Sequence, residues 1–149
     1  MSLKHKFFYK KFYTLSRKEI HDLFLLRSEV FVVEQNCVYQ DIDGKDEKAE
    51  HVLVKKNNKI IAYARVLENI DHNNLSIGRI VVSKNERGNS IGSYLLNFIL
   101  KKIHKEKPKR PIKISAQAHL EKFYTDHGFK RTSNTYMEDG IPHISMRLE

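Results

Sequence analysis

Apolar residues change their spacing several times along the chain, and each change marks an expected element. Over residues 7–13 aromatic side chains are interrupted only by lysines, a composition that suits an opening strand. Ser16-Arg17-Lys18-Glu19 then has the form of a capping box, in which serine and glutamate side chains satisfy each other's backbone donors at a helix start. The helix this predicts carries Ile20, Leu23, Phe24, Arg27 and Phe31 on one face. Arg27 therefore shares a stripe with core residues, and its charge needs a partner there. Residues 51–67 supply two β-rich runs around Asn57-Asn58, a hairpin pattern, and residues 75–82 read as a buried strand.

Helical spacing returns at Ile91, with Tyr94, Leu95, Phe98, Ile99 and Ile103 on one face, and Pro108 sets the limit of that helix. Residues 112–118 predict a further strand, and residues 119–127 a short helix stopped by Gly128. Two closing strands flank Glu138-Asp139-Gly140, because Asp-Gly is a favoured turn pair. This order predicts one domain over residues 1–149, a mixed α/β or α+β layout around a single sheet.

Composition narrows the function classes. No apolar run approaches the roughly 20 residues a membrane helix requires, and the lysine-broken start lacks the apolar segment of a signal peptide, so a cytoplasmic protein without a membrane partner is expected. Cys37 is the only cysteine, which excludes an intramolecular disulfide and a thiol-rich zinc site. The acidic run DIDGKD misses the spacing of a calcium loop, since Gly44 comes too early and Val52 stands where the closing glutamate belongs; no metal is expected. A formal charge of +9 favours a polyanion, either nucleic acid or a phosphate-bearing cofactor. The basic run over residues 101–113 reads as a solvated helix end.

The stretch NERGNSIGSYLL, residues 85–96, reads either as an ordinary loop before a helix or as a cradle for phosphates. A strand, a glycine-containing loop and a helix start in that order expose the first-turn N–H groups and the positive end of the helix dipole, where anions bind. Small residues at Gly88, Ser90, Gly92 and Ser93 allow a diphosphate to approach the backbone of Asn89 and Ile91, and Arg87 adds a cation. The spacing fits neither a P-loop nor a dinucleotide fingerprint.

The same stretch resembles the R-x-x-G-x-G/A pyrophosphate loop of the GNAT superfamily of acyl-CoA-dependent N-acyltransferases, with Arg87, Ser90 and Gly92 in the matching places and Ser90 departing from the usual glycine. The strand IVV before it and FYTDHGF, residues 123–129, after it look like that superfamily's landmarks. Four longer motifs, LRSEVFVVEQNCVYQDIDGKD, SIGRIVV, AQAHLEKFY and YMEDGIPHISM, are similar to the ElaA family within it. The resemblance implies a GNAT acyl-CoA N-acyltransferase fold, with one central mixed, mostly antiparallel sheet flanked by helices. It implies acetyl-CoA as cofactor and a small-molecule or peptide amine as acceptor.

Roles follow from what thioester aminolysis demands: a fixed cofactor, a neutral amine, a stabilised oxyanion and a proton for the thiolate. By resemblance, the backbone of Ile80, Val81 and Val82 pairs with the pantetheine arm, the Arg87–Ser93 loop takes the diphosphate, Gln117 stands where relatives bind the arm through asparagine, and Tyr124 protonates the thiolate. Glu34 and His143 are expected to be catalytic on the acceptor side, with Glu138 and the acidic group Asp41, Asp43 and Asp46 as further base candidates. Arg27, Asp41, Asp43, Arg79 and Glu138 are expected to shape the acceptor pocket; ion pairing that only fixes the loop is the alternative for the arginines and aspartates. His119 is a cap or a helper. Arg27, Phe31 and the spaced aspartates also resemble, loosely, the acyl-homoserine-lactone synthases, which implies transfer of a longer acyl chain. A GNAT fold that senses acyl-CoA without turnover is another reading, and a nucleic-acid-binding module using FFYKKFY is the disfavoured one. The chain is expected to be a monomer or a homodimer.

Overall fold

The structure, a computed structural model, describes residues 5–149. Eight strands join one sheet: β1 (His5–Lys11), β2 (Glu50–Lys56), β3 (Lys59–Asn69), β4 (Asn74–Val82), β5 (Ile112–Gln117), β6 (Lys130–Arg131), β7 (Tyr136–Glu138) and β8 (Ile141–Leu148). Their order is β1-β2-β3-β4-β5-β8-β6, with β7 pairing β8. All pairings are antiparallel except β4 with β5. The helices are α1 (Arg17–Arg27), α2 (Ile91–Glu106) and α3 (Glu121–Thr125).

The capping box forms as expected: the Glu19 N–H donates to Ser16 Oγ at 3.0 Å and the Ser16 N–H to Glu19 Oε1 at 2.8 Å, satisfying donors that the start of α1 would otherwise leave open. Both asparagines of the Asn57-Asn58 turn have positive φ, 53° and 64°, as do Asp139 and Gly140 at 51° and 77°. These are the left-handed pairs that match the right-handed twist of a tight hairpin.

Alternation along β2 explains why its sequence is apolar throughout. Val52 and Val54 point to the face covered by Leu95, Leu96 and Ile99 of α2, while Leu53 points to the face covered by Leu23 and Leu26 of α1. The aromatics of β1 are divided in the same way, Phe7 and Tyr9 on the α2 side and Phe8 on the α1 side. Four of the five rings of FFYKKFY pack on these two faces and only Tyr13 is exposed, so the stretch offers no run of open rings on which successive bases could stack. Among the described residues, no helix is long and apolar enough to cross a membrane.

Three departures from the sequence pattern have physical causes. The opening strand stops at Lys11, and Phe12–Thr14 form a 3-10 turn that feeds the cap of α1. The helix that was to carry Phe31 ends at Arg27 and continues as a π-helical stretch, Ser28–Glu34, which rotates the side chains that follow Arg27. Tyr94, on the expected apolar face of α2, is 39% exposed, and Leu96 is buried instead.

The feature that matters most for function is a local failure of pairing. β4 and β5 are in register only at Leu75–Ile112 and Ser76–Lys113, and beyond Ser76 the two strands part. In the same region β4 is bulged against β3, with a register shift between Tyr63 and Arg65 and with Arg79 in the left-handed conformation at φ 51°. A bulge bends its strand, and here the bend opens the sheet.

His51, on β2, is fully buried, its Nδ1 2.6 Å from the Tyr63 hydroxyl and its Nε2 2.8 Å from the Asp46 carbonyl. That geometry suits a neutral ring, with Nε2–H donating to the carbonyl and Nδ1 accepting from tyrosine. Burial lowers its pKa below the ordinary 6.5. The unfolded chain thus binds a proton that the folded one refuses, and stability falls as pH drops below about 6.5. His51→Gln should flatten this slope between pH 7 and pH 5 in urea titrations; an unchanged slope would show that His51 does not carry it.

Candidate active site

Under the site lies an ion-pair cluster built from α1, β3, β4 and the loop over residues 35–49. Arg27 donates from Nε to Asp41 at 2.9 Å and from a terminal nitrogen to Asp46 at 2.7 Å. Arg65 grips Asp43 through two 2.8 Å bonds and reaches Asp46 at 3.1 Å. Arg79 donates to the Asp41 carboxylate at 2.8 Å and to its carbonyl at 3.0 Å, and Tyr39 donates to Asp41 at 3.0 Å. Three arginines and three aspartates leave the cluster neutral, and Arg27 is wholly buried. The Arg65 pairing holds the Asp43 carboxyl well below the usual carboxylate range.

Above the cluster, where β4 and β5 part, runs a cleft of about 910 Å³. Ile80, Val81 and Val82 form one wall, Gln117 and Tyr124 another, and Arg87 and Gly92 lie at the end where α2 begins. Beyond Ser76, the side of β4 that faces β5 has no strand partner among the described residues. It presents backbone donors and acceptors already fixed in place, which an extended amide-bearing chain can bind by strand addition.

At the α2 end, Gly88 has φ 87° and Ser90 has φ 61°. The second is a strained choice for a residue with a Cβ, costing about 1–2 kcal/mol. Ser90 makes no side-chain cap, so the first-turn N–H groups of α2 are open to an anion. A Cβ on Gly92 would meet only Phe123 and Val82, each at 3.8 Å, so the protein itself does not demand glycine there. These features fit a diphosphate. Ser93 is turned away from that role: its Oγ lies 2.9 Å from His127 Nε2, and His127 Nδ1 lies 2.7 Å from the Phe123 carbonyl, tying α2 to α3.

Arg87 is anchored by a 3.0 Å bond from Nε to the Val82 carbonyl and forms a two-pronged pair with Glu34, at 2.6 and 3.0 Å. The pairing lowers the Glu34 pKa, which makes that carboxylate a poor proton acceptor while the pair lasts. Tyr124 lines the cleft from α3 at 6% exposure, and burial pushes its pKa up to about 12. It remains a phenol at neutral pH and can only give a proton away.

Glu34 lines the cleft beside Arg87 near the start of α2, and Glu138, His143 and Arg79 line it farther from Gly92. Arg27, Asp41 and Asp43 do not; their charges are committed to the cluster beneath it, the loop-fixing alternative among the sequence expectations. Gly88, Asn89, Ser90, Ile91 and Ser93 surround the α2 start without forming the cleft wall. His119 lines the wall. Sequence reasoning missed Cys37, Tyr39, Arg65, Ser115 and Asp139, all of which line the cleft, and Tyr136 behind it. Period-two alternation from Gln117 along residues 112–118 would have pointed to Ser115, but nothing local to the sequence pairs Cys37 with Asp139, whose carbonyl accepts from the Cys37 thiol at 3.2 Å across 102 residues.

A mixed sheet split between two parallel strands, with a helix start at the split, is the fold of the GNAT acetyltransferases, and the comparisons agree. Residues 14–149 match the family model described as an acetyltransferase (GNAT) domain. Protein ElaA of Escherichia coli is 44% identical over 138 residues, covering 91% of this chain and 90% of the relative. The crystal structure of Escherichia coli ElaA superimposes with a TM-score of 0.92 at 40% identity, covering 97% of this chain and 99% of the other. An acyl-CoA N-acyltransferase from Pseudomonas aeruginosa gives 0.93 at 37% identity with the same coverage. The chain belongs to the ElaA family of GNAT acetyltransferases.

Removing the cluster's central cation tests its structural role. Arg27→Ala leaves Asp41 and Asp46 short of their buried partner and should cost about 3–5 kcal/mol of stability in urea unfolding. A loss below about 1 kcal/mol, the range of exposed ion pairs, would show that the cluster is dispensable.

Proposed function

We propose that the protein is an acetyl-CoA-dependent N-acetyltransferase that transfers an acetyl group to the amine of a small molecule or peptide in the cytoplasm. The observation that carries this reading is the cleft at the β4–β5 split, with unpaired strand backbone along its length, an uncapped helix start at one end and a buried phenol in its wall. The likeness to a protein described as an acyl-CoA N-acyltransferase supports it.

When bound, acetyl-CoA supplies the activated acetyl thioester; the chain supplies placement and proton control. The first-turn N–H groups of α2, with Arg87 and the backbone of residues 88–93, hold the diphosphate. The backbone of Ile80, Val81 and Val82 holds the pantetheine arm and polarises the thioester carbonyl without reorganising, and the Gln117 amide adds a contact from β5. Tyr124 protonates the leaving sulfur, and its raised pKa keeps the proton available. Proton removal from the amine falls to the opposite end of the cleft, where His143 and Glu138 stand. Transfer of a longer acyl chain uses the same machinery, and the acyl donor that turns over fastest distinguishes the two.

Calorimetry with acetyl-CoA, followed by free-thiol release across amines, polyamines, amino acids and peptides, tests the reading. Micromolar binding with amine-dependent thiol release is expected; absence of binding overturns it. Gly92→Glu should abolish acetyl-CoA binding by placing an anion where the diphosphate lies, and wild-type affinity would remove the α2 start from the site. Tyr124→Phe should lower kcat by about 10²-fold or more with acetyl-CoA affinity kept, the usual contribution of a general acid; an unaltered kcat would refute the acid role.

A further inference from the structure

The wall formed by β5, β7 and β8 carries a directed chain of polar side chains. Ser115 Oγ donates to Glu138 Oε1 at 3.1 Å. Its only proton is thereby used, so the 2.5 Å contact between Ser115 Oγ and the Tyr136 hydroxyl has tyrosine as donor. Ser145 Oγ donates in turn to the Tyr136 hydroxyl at 3.4 Å. Every proton points towards the Glu138 carboxylate.

The second oxygen of Glu138 is 3.4 Å from His143 Nε2. His143 Nδ1 lies 2.7 Å from the Ile141 carbonyl, which fixes the proton on Nδ1 and leaves the lone pair on Nε2 in the neutral ring. The Tyr136 ring stacks on the imidazole at 6.3 Å and 25°, holding its plane. Strand register brings these groups together: Tyr136 and Gln117 both face His143, and Ser115 faces Ser145.

This pair differs from every other carboxylate considered for the acceptor side. Glu34 is clamped by Arg87, and Asp41, Asp43 and Asp46 are held by arginines. Glu138 has no lysine or arginine within ion-pair distance among the described residues, and it opens to the cleft with a side chain 47% exposed. Two acceptor atoms 3.4 Å apart lie close enough for one nitrogen, at about 2.9 Å from each, to donate to both.

We propose that Glu138 and His143 form the receptor for a primary ammonium group, that His143 Nε2 takes the proton which frees the amine for attack, and that Ser115 and Tyr136 are positioning residues that aim the carboxylate. The proposal rests on the N-acetyltransferase reading and names the substrate class as amines that arrive as cations. The ammonium loses two protons as the C–N bond forms and the C–S bond breaks. One passes through His143 to solvent, and the other replaces the proton that Tyr124 gives to the departing sulfur.

Ser115→Ala and Tyr136→Phe separate positioning from bulk, because the phenylalanine keeps the stack and removes only the hydroxyl. With benzylamine and spermidine as acceptors, each variant should raise the amine KM about tenfold, the effect of one hydrogen bond to a charged group, and leave the acetyl-CoA KM unchanged. Ser115→Thr, which keeps the hydroxyl, should restore it. Wild-type amine KM in both variants overturns the positioning role, and wild-type thiol release from neither amine overturns the substrate class. A readout free of turnover separates this from failure of the transferase reading: benzylamine added to the CoA-saturated protein should shift the His143 Nε2 nitrogen resonance, and Glu138→Gln should abolish the shift. No shift in the wild type, or an equal shift in Glu138→Gln, overturns the receptor even where thiol release is intact; no acetyl-CoA binding overturns the transferase reading instead.

Discussion

A neutral cluster of three arginines and three aspartates holds the geometry on which the cleft depends. Arg79 occupies a left-handed backbone conformation that costs free energy for a residue with a Cβ, and its guanidinium is bonded to both the carboxylate and the carbonyl of Asp41. The bulge at Arg79 and the separation of β4 from β5 occur in the same stretch of strand. Arg27 and Arg65 fix Asp41, Asp43 and Asp46 from below, so the loop cannot relax without uncovering buried charge. Strain in one residue and ion pairing in five others are thus two sides of one arrangement, and its product is a sheet that opens where a ligand can enter.

Because the cluster balances its own charge, it contributes little field to the cleft above it. The polarity of the two ends is set by other groups. At the α2 end a guanidinium and open N–H groups favour an anion; at the far end Glu138 and the His143 lone pair favour a cation. That polarity matches an anionic donor and a cationic acceptor approaching from opposite sides, with Tyr124 between them in an apolar wall.

Much of this was legible in the sequence where the signal was local. The Ser16–Glu19 box, the Asn57-Asn58 and Asp139-Gly140 turns and the apolar face of α2 depend on residues a few positions apart, and all formed. The burial of Arg27 followed from its place on an apolar stripe. What stayed hidden depends on register between distant segments. The bulge at Arg79, the split after Ser76, the π-helical turn that displaces Phe31 and the Ser115–Tyr136 contact have no local signature, because alternation gives a residue's face without giving its partner. The same limit explains why Arg27, Asp41 and Asp43 looked like pocket residues: sequence shows that charges must meet, and only the fold shows that they meet beneath the cleft.

At the α2 end of that cleft Arg87 is already paired with a carboxylate. Its guanidinium is shared between the Val82 carbonyl and the Glu34 carboxylate, and an anion settling at the start of α2 competes with Glu34 for it. An exposed ion pair is a weak competitor, since solvent screens it and two long side chains must be ordered to keep it. A diphosphate would bring more charge and meet helix N–H groups as well, and would therefore take the guanidinium at small cost. Glu34 would then be released as a second free carboxylate beside the cleft, drawing a cationic acceptor only after the anionic donor has arrived. Such an exchange would make binding of the donor precede binding of the acceptor.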